Sequence, residues 1–328
     1  MDQAKESPYR PALTFDAKKA GDDYRIAVLP IVYERALADK LSPAEAKALV
    51  GSRLQPGESF ELMRHQNVTA VVVHQPKSGK ITVAFDGTEE LRDKIDNMRF
   101  TEHDHPLGGK VHTGHLKAIA REDEQGHKIS DRVKAVVAGY AAADGGVSEL
   151  TMTGHSRGGA LSMAATAEWM KEGLPAGTRL ADVQTFGALP FGNEAFIQNF
   201  MSESARLGTR VTRVIAGNDE VPTYMANKKL FSDMYTHGGD AVYLLPERGG
   251  APQSVLINPS DTILQAARKD PPSLDWHHPD SYAELLGVPS AKLPTSITPT
   301  YKDISPAELQ VPPPNLPGSY SRPRSINP

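Results

Sequence analysis

Hydrophobic positions along this chain recur with two different periods, and their alternation predicts an architecture. Val68–Gln75 and Lys80–Phe85 are short runs rich in Val, Ile and Thr, split by Pro76-Lys-Ser-Gly79, and read as two strands of a hairpin. Leu150–Thr153, Asp182–Phe186, Arg210–Ile215, Val242–Leu245 and Ser254–Ile257 read as further strands. Between them the spacing lengthens to that of helices. Ile129–Ala143 repeats its apolar residues through Val133, Val136, Val137 and Tyr140. Tyr24–Asp39 predicts a helix kinked at Pro30, whose ring removes a backbone donor. Ser42-Pro43-Ala44-Glu45 opens another, with a capping serine and proline at its first position. Gly158–Trp169, Glu194–Arg206 and Asp280–Leu286 complete the set. Strands alternating with helices around a buried strand–turn–helix predict the α/β class, with a central, mostly parallel sheet flanked by helices.

The ends of the chain lack this pattern. Residues 1–22 are polar and read as an N-terminal arm, and 23–290 carry one α/β domain. From 291 the chain is a proline-rich tail, with nine prolines in its last 35 residues, expected to wrap without a core of its own. A chain of 328 residues is ample for a sizeable core.

Composition narrows the function. The net charge is −4, from 36 Lys and Arg against 40 Asp and Glu, so no nucleic-acid partner is expected. Cysteine is absent, which excludes a disulfide framework, a thiolate nucleophile and a Cys-based zinc site. The N-terminus has no apolar core of a secretory signal and no run of about 18 apolar residues occurs, so no transmembrane helix is expected. The expectation is a cytoplasmic protein or one exported by a route without such a signal.

The chemistry concentrates in Gly154-His155-Ser156-Arg157-Gly158, a G-x-S-x-G nucleophile elbow. A serine that attacks an ester must stand clear of the sheet on a sharp strand-to-helix turn. Only small residues two before and two after it let the strand and helix pass that closely. The preceding strand, Gly159 and the small-residue helix that follows supply the context the motif requires. A nucleophilic serine also needs a base, an orienting acid and an oxyanion hole. In α/β-hydrolases the chain order is Ser, then Asp or Glu, then His. Of eleven histidines, His237, His277 and His278 fit that order. Asp219 follows the strand Arg210–Ile215 in a loop, and is the acid chosen. One oxyanion donor is the backbone N–H of Arg157. The other should follow an earlier strand, and Thr88, after the glycine turn that ends Lys80–Phe85, fits.

These segments resemble the class 3 lipases, the fungal-type lipase and phospholipase A1 group of the α/β-hydrolases, over roughly residues 68–286. Val83-Ala-Phe-Asp-Gly-Thr88 is similar to the family's strand ending in Arg-Gly-Thr/Ser, and Val111-His-Thr-Gly-His115 to its Val-His-x-Gly-Phe. Thr153-Gly-His-Ser-Arg-Gly-Gly-Ala160 resembles its Gly-His-Ser-Leu-Gly-Gly-Ala. Thr185–Asn193, Arg213–Pro222 and His277–Tyr282 resemble three later blocks, in the family's order. The resemblance implies Ser156 as nucleophile, Asp219 as acid, His277 as base, and Thr88 and Arg157 as oxyanion donors. It favours His277, with Tyr282 five residues on, while His278 stays open. It implies a serine carboxylic-ester hydrolase acting on lipid esters, as an acylglycerol lipase or phospholipase A1, through an acyl-enzyme and with no cofactor.

Three departures stand out. Asp86 replaces the usual Arg, Arg157 the usual Leu, and His115 an aromatic. An inward-facing Asp86 would oppose a forming oxyanion, so it is expected to face elsewhere. Segment 89–100 stands where fungal members carry a lid. Leu91, Ile95 and Met98 share one helical face, which fits either a lid that rolls onto a lipid surface in transient contact or an ordinary surface helix. His103-Asp-His105, His112 and His115 form a cluster of metal-ligating types, but His112 matches a family position without a metal role, so no metal is expected. An esterase acting on soluble esters shares the same constellation, and a non-catalytic binding protein on this fold is the further alternative.

Overall fold

Alternate side chains of a strand face opposite ways, and in β2 (Val68–Gln75) and β3 (Lys80–Phe85) nearly all of them are buried. Ala70, Val72, Ile81, Val83 and Phe85 enter one core, while Val71, Val73 and Ala84 enter another. Strands buried on both faces belong inside a sheet covered above and below by helices. The computed structural model, which describes residues 15–86, 101–222, 235–245, 253–257 and 273–288, has that arrangement. The other strands are β1 (Ser59–His65), β4 (Glu102–Asp104), β5 (Lys110–His112), β6 (Ser148–His155), β7 (Thr178–Phe186), β8 (Arg210–Ala216), β9 (Asp240–Leu245) and β10 (Gln253–Ile257). Eight of them form one sheet in the order β1-β2-β3-β6-β7-β8-β9-β10, and β4 and β5 form a separate ribbon. Pairing is parallel from β3 through β9 and antiparallel at both edges. The expected hairpin of β2 and β3 is present in register from Ala70–Phe85 to Gln75–Lys80.

Helices α1 (Ala17–Ala27), α2 (Leu29–Ala38) and α3 (Pro43–Gly51) cover one face, joined near the C-terminal end of the described chain by α8 (Pro279–Leu285). Helices α4 (Thr113–Ala120), α5 (Ile129–Asp144), α6 (Arg157–Glu172) and α7 (Glu194–Leu207) cover the other. Their apolar stripes bury Ile119, Val133, Leu161, Trp169, Phe196 and Phe200 against the sheet. Each such side chain contributes about 1.5–3 kcal/mol.

The N-terminal region departs from expectation. Helix begins at Ala17, inside the segment read as an arm, because Asp16 caps it by accepting from Lys19 N–H. Lys18–Asp22 and Lys19–Asp23 pairs then make the polar residues part of the helix. The single kinked helix expected over Tyr24–Asp39 is two helices parted at Val28. Pro30 cannot donate to the preceding turn and therefore sits in the first turn of α2. The capping box of α3 forms as read, with Ser42 Oγ accepting from Glu45 N–H and the Glu45 carboxylate accepting from Ser42 N–H. Edge strand β1, ribbon β4–β5 and helix α4 were not anticipated. The proline-rich tail from 291 lies outside the described residues.

The sheet places its chemistry on one edge. The C-terminal ends of β6, β7 and β8 lead into Ser156, Gly187 and Asp219, the end where α/β sheets bind ligands.

Gly139 lies exposed in the middle of α5, with open space where a Cβ would stand. Gly139→Ala is expected to raise stability by about 0.5–1 kcal/mol, read as a higher denaturation midpoint in urea. A lower midpoint would mean that this face of α5 is not free.

Candidate active site

The elbow is made by contact between glycines and backbone. Ser156 has φ 58° and ψ −127°, a conformation that L residues avoid, and lies between β6 and α6. Its N–H donates to Phe186 O at 2.8 Å, which fixes the turn to the end of β7. A Cβ on Gly154 would overlap the backbone of Gly158 and stand 2.7 Å from Gly159 N. A Cβ on Gly158 would overlap the carbonyl oxygen of Phe85, and one on Gly159 would lie 2.6 Å from Ala188 Cβ. The glycines read from the motif are thus required by three separate approaches: strand to helix, helix to β3, and helix to the segment after β7.

Asp219 and His277, 58 residues apart, meet at this edge. Asp219 is 1% exposed, and its Oδ2 lies 2.8 Å from His277 Nδ1. Its other oxygen accepts from Val221 N–H at 2.9 Å. A carboxylate can only accept, so His277 carries its proton on Nδ1 and presents a lone pair at Nε2. Neither His277 Nε2 nor Ser156 Oγ has a hydrogen-bond partner among the described residues, and both are buried. This arrangement can take a proton from a serine hydroxyl and stabilise the resulting imidazolium.

The geometry distinguishes the three histidines that fit the order. His278 is half exposed and turned to the start of α8, where its Nδ1 accepts from Asp280 N–H at 3.3 Å. His237 is partly buried with Nε2 2.8 Å from Pro222 O, and desolvation lowers its pKa to about 3.

Several supporting groups had no role assigned to them from sequence. Tyr282 O–H donates to Asp219 Oδ2 at 2.5 Å. Burial and then the Asp219 charge hold its pKa well above that of a free phenol, so it remains a donor. Its place five residues after His277 was the available signal. Gly187, at φ 56°, makes room for this group: a Cβ there would stand 2.7 Å from Tyr282 Oη and 2.8 Å from Asp219 Oδ2. Gly217, at φ 46°, lies under the Trp276 ring, 2.7 Å from its Cε2 were a Cβ present. His155 packs between His277 and Tyr282, with ring centroids 4.8 and 5.2 Å away. Burial and then the neighbouring His277 hold its pKa well below the usual value, so it adds no charge.

Thr88 and the segment 89–100 lie outside the described residues. Asp86 faces Arg157 and Thr69 N–H, as detailed below. Of the remaining histidines, His105 pairs with Glu168 at 3.0 Å, away from His112 and His115, whose ring centroids lie 4.3 Å apart with the planes tilted by 35°. Burial lowers His112 to about 4 and holds His115 well below the usual value. Among the described residues no group of three or more His, Asp or Glu is placed to hold a metal ion. Among them too, no helix is long and apolar enough to cross a membrane.

Residues 82–229 match the family model described as lipase (class 3). The secreted mono- and diacylglycerol lipase 1 of Fusarium solani is 32% identical over 145 residues, which are 44% of this chain and 38% of that protein. The chain therefore matches well under half the length of that relative. The lipase of Rhizopus microsporus var. chinensis superposes with a TM-score of 0.54 at 22% identity, covering 79% of this chain and 86% of that one. The Rhizomucor miehei triacylglyceride lipase gives 0.59 at 17% identity, covering 84% and 99%. Likeness at this identity is one of fold, and the fold is that of the α/β-hydrolases.

Gly158→Ala is expected to destabilise the protein by about 1–3 kcal/mol or more, because the atom it meets is backbone and cannot turn aside. Thermal melting checks this, and an unchanged Tm would contradict the close passage of α6 over β3.

Proposed function

We propose that this chain, whose residues 82–229 match the class 3 lipase model, is a serine hydrolase of lipid carboxylic esters. The supporting observation is the buried Asp219–His277 pair at 2.8 Å, on the sheet edge that carries the strained Ser156. Ser156 is the nucleophile, His277 the base and Asp219 the residue that fixes its tautomer. Arg157 N–H and Thr88 N–H receive the oxyanion.

The reaction follows from these roles. His277 Nε2 takes the Ser156 proton as Oγ attacks the ester carbonyl. The tetrahedral oxyanion is held by the two N–H groups, and imidazolium protonates the leaving alcohol. Water, deprotonated by the same nitrogen, then releases the carboxylate from the acyl-enzyme. Every step is a proton transfer or acyl transfer, so no cofactor enters. The substrate is an acylglycerol or phospholipid, met in transient contact with a lipid surface. The relative named a mono- and diacylglycerol lipase supports acylglycerols first.

Ser156→Ala should abolish fluorophosphonate labelling and cut kcat on an emulsified acylglycerol by on the order of 10⁴–10⁶-fold, with Tm unchanged. Labelling that persists would move the nucleophile elsewhere. A wild-type enzyme active only on short soluble esters would remove the lipid assignment.

His277→Ala and His278→Ala should diverge. The first should lose activity by at least about 10³-fold, and the second should keep most of it, measured as kcat/KM on a nitrophenyl ester. The reverse order would put the base at His278.

A further inference from the structure

We propose that the Asp86–Arg157 ion pair is a positioning device for the reaction, fixing the backbone N–H of Arg157, an oxyanion donor, against the end of β3. The inference rests on the reading of Ser156 as nucleophile and of the Arg157 N–H group as an oxyanion donor.

The two departures from the family pattern are one feature in space. Asp86 and Arg157, 71 residues apart, lie with Arg157 Nη1 3.3 Å from Asp86 Oδ2. The same Nη1 donates to Asn67 O at 3.0 Å. The other oxygen of Asp86 accepts from Thr69 N–H at 3.0 Å, and Asp86 N–H donates to Thr69 O at 2.9 Å. Asp86 is 5% exposed, and it is the last described residue before 87–100. The pair therefore ties the residue after the nucleophile to the chain at the end of β3, and anchors both to the start of β2.

The tie crosses a contact that is already tight. Gly158, next to Arg157, packs on the backbone of Phe85 and Asp86. Backbone contact sets how near the segments come, but a glycine surface can slide. The ion pair opposes sliding together with the Asn67 and Thr69 bonds, because hydrogen bonds to several partners fix direction as well as distance. Sub-ångström placement of oxyanion donors matters, because a displacement of about 1 Å costs up to about 10²-fold in rate.

The charges around the pair are identifiable. Asp86 meets Arg157 from α6, Thr69 N–H from β2, Glu34 from α2 and Arg64 from β1. His115 of α4 stands near Arg157 and is held neutral by burial. Burial raises the Asp86 pKa to about 6, against the opposing pull of Arg157 and Thr69. The folded protein thus binds this proton more tightly than the unfolded chain. The destabilisation from ionising Asp86 begins above its ordinary 3.8 and is complete above about 6. Asp86 as a charge does not hold the fold together, and a neutral isostere should not weaken it.

The experiment compares wild type with Asp86→Asn, Arg157→Gln and the double variant, by kcat, fluorophosphonate labelling rate and Tm. Wild type must first show Ser156-dependent hydrolysis, and its absence would sink the reading of the site rather than the role of the pair. Given that activity, Asp86→Asn and Arg157→Gln should each lower kcat at pH 8 by about 10- to 100-fold, with KM little changed. Tm of Asp86→Asn should be held or raised. The double variant should be no slower than the worse single one, as for two members of one contact. The ratio of wild-type to Asp86→Asn kcat should shrink toward one as pH falls through about 6. An electrostatic effect on the oxyanion, with no positioning, predicts opposite signs: faster for Asp86→Asn, which leaves the cation, and slower for Arg157→Gln. An unchanged or increased kcat in Asp86→Asn, or a kcat ratio independent of pH, overturns the proposal. Should Asp86→Asn not melt cooperatively, Arg157→Gln decides alone, and wild-type kcat there overturns it equally.

Discussion

The close passage of β6, α6 and β3 at Gly154 and Gly158 is the constraint on which the active-site edge depends. Neither glycine could carry a Cβ without overlapping backbone atoms of the neighbouring segment. That proximity allows Ser156 to adopt a left-handed φ and to stand at the head of a helix, where backbone N–H groups are free to receive negative charge. The strain of that conformation is offset by the surrounding core, in which α6 is buried through most of its length. A stable helix and a strained serine are consequently one structure seen from two sides.

Asp219 and His277 arrive by a different route, across long sequence separations, and each is secured at several points. Asp219 follows β8 and is tied by Val221 N–H, Tyr282 and His277. His277 lies in a short helical turn between Trp276, packed over Gly217, and α8. Tyr24 of α1 donates to Pro279 O at 2.9 Å and stacks on Tyr282, linking the N-terminal helix to the segment that carries His277.

The electrostatics of the region follow from burial. His112, His115 and His155 are close to the elbow or its supports, and all are held neutral by desolvation. Among the described residues Asp219 is held against His277 and Asp86 against Arg157. Burial of such groups strengthens the hydrogen bonds that a developing oxyanion would receive.

Much of this was legible in the sequence because it is local. Periods of two and about four gave the inner strands and most helices, since side-chain direction is fixed by backbone geometry. The elbow was readable because its glycines are required within five consecutive residues. Asp219 and His277 could be named from order and from resemblance, but which of His277 and His278 faces Asp219 depends on the turn that points one ring inward and the other to solvent. The helix break at Val28 and the helical start at Ala17 depended on caps and ion pairs that a hydrophobic period does not register. Least visible was the Asp86–Arg157 pair. Each residue alone reads as a local departure, and only the parallel pairing of β3 with β6 brings the two together. Contacts within one turn or strand are written in the sequence, whereas contacts between segments far apart in it are decided by how the sheet closes.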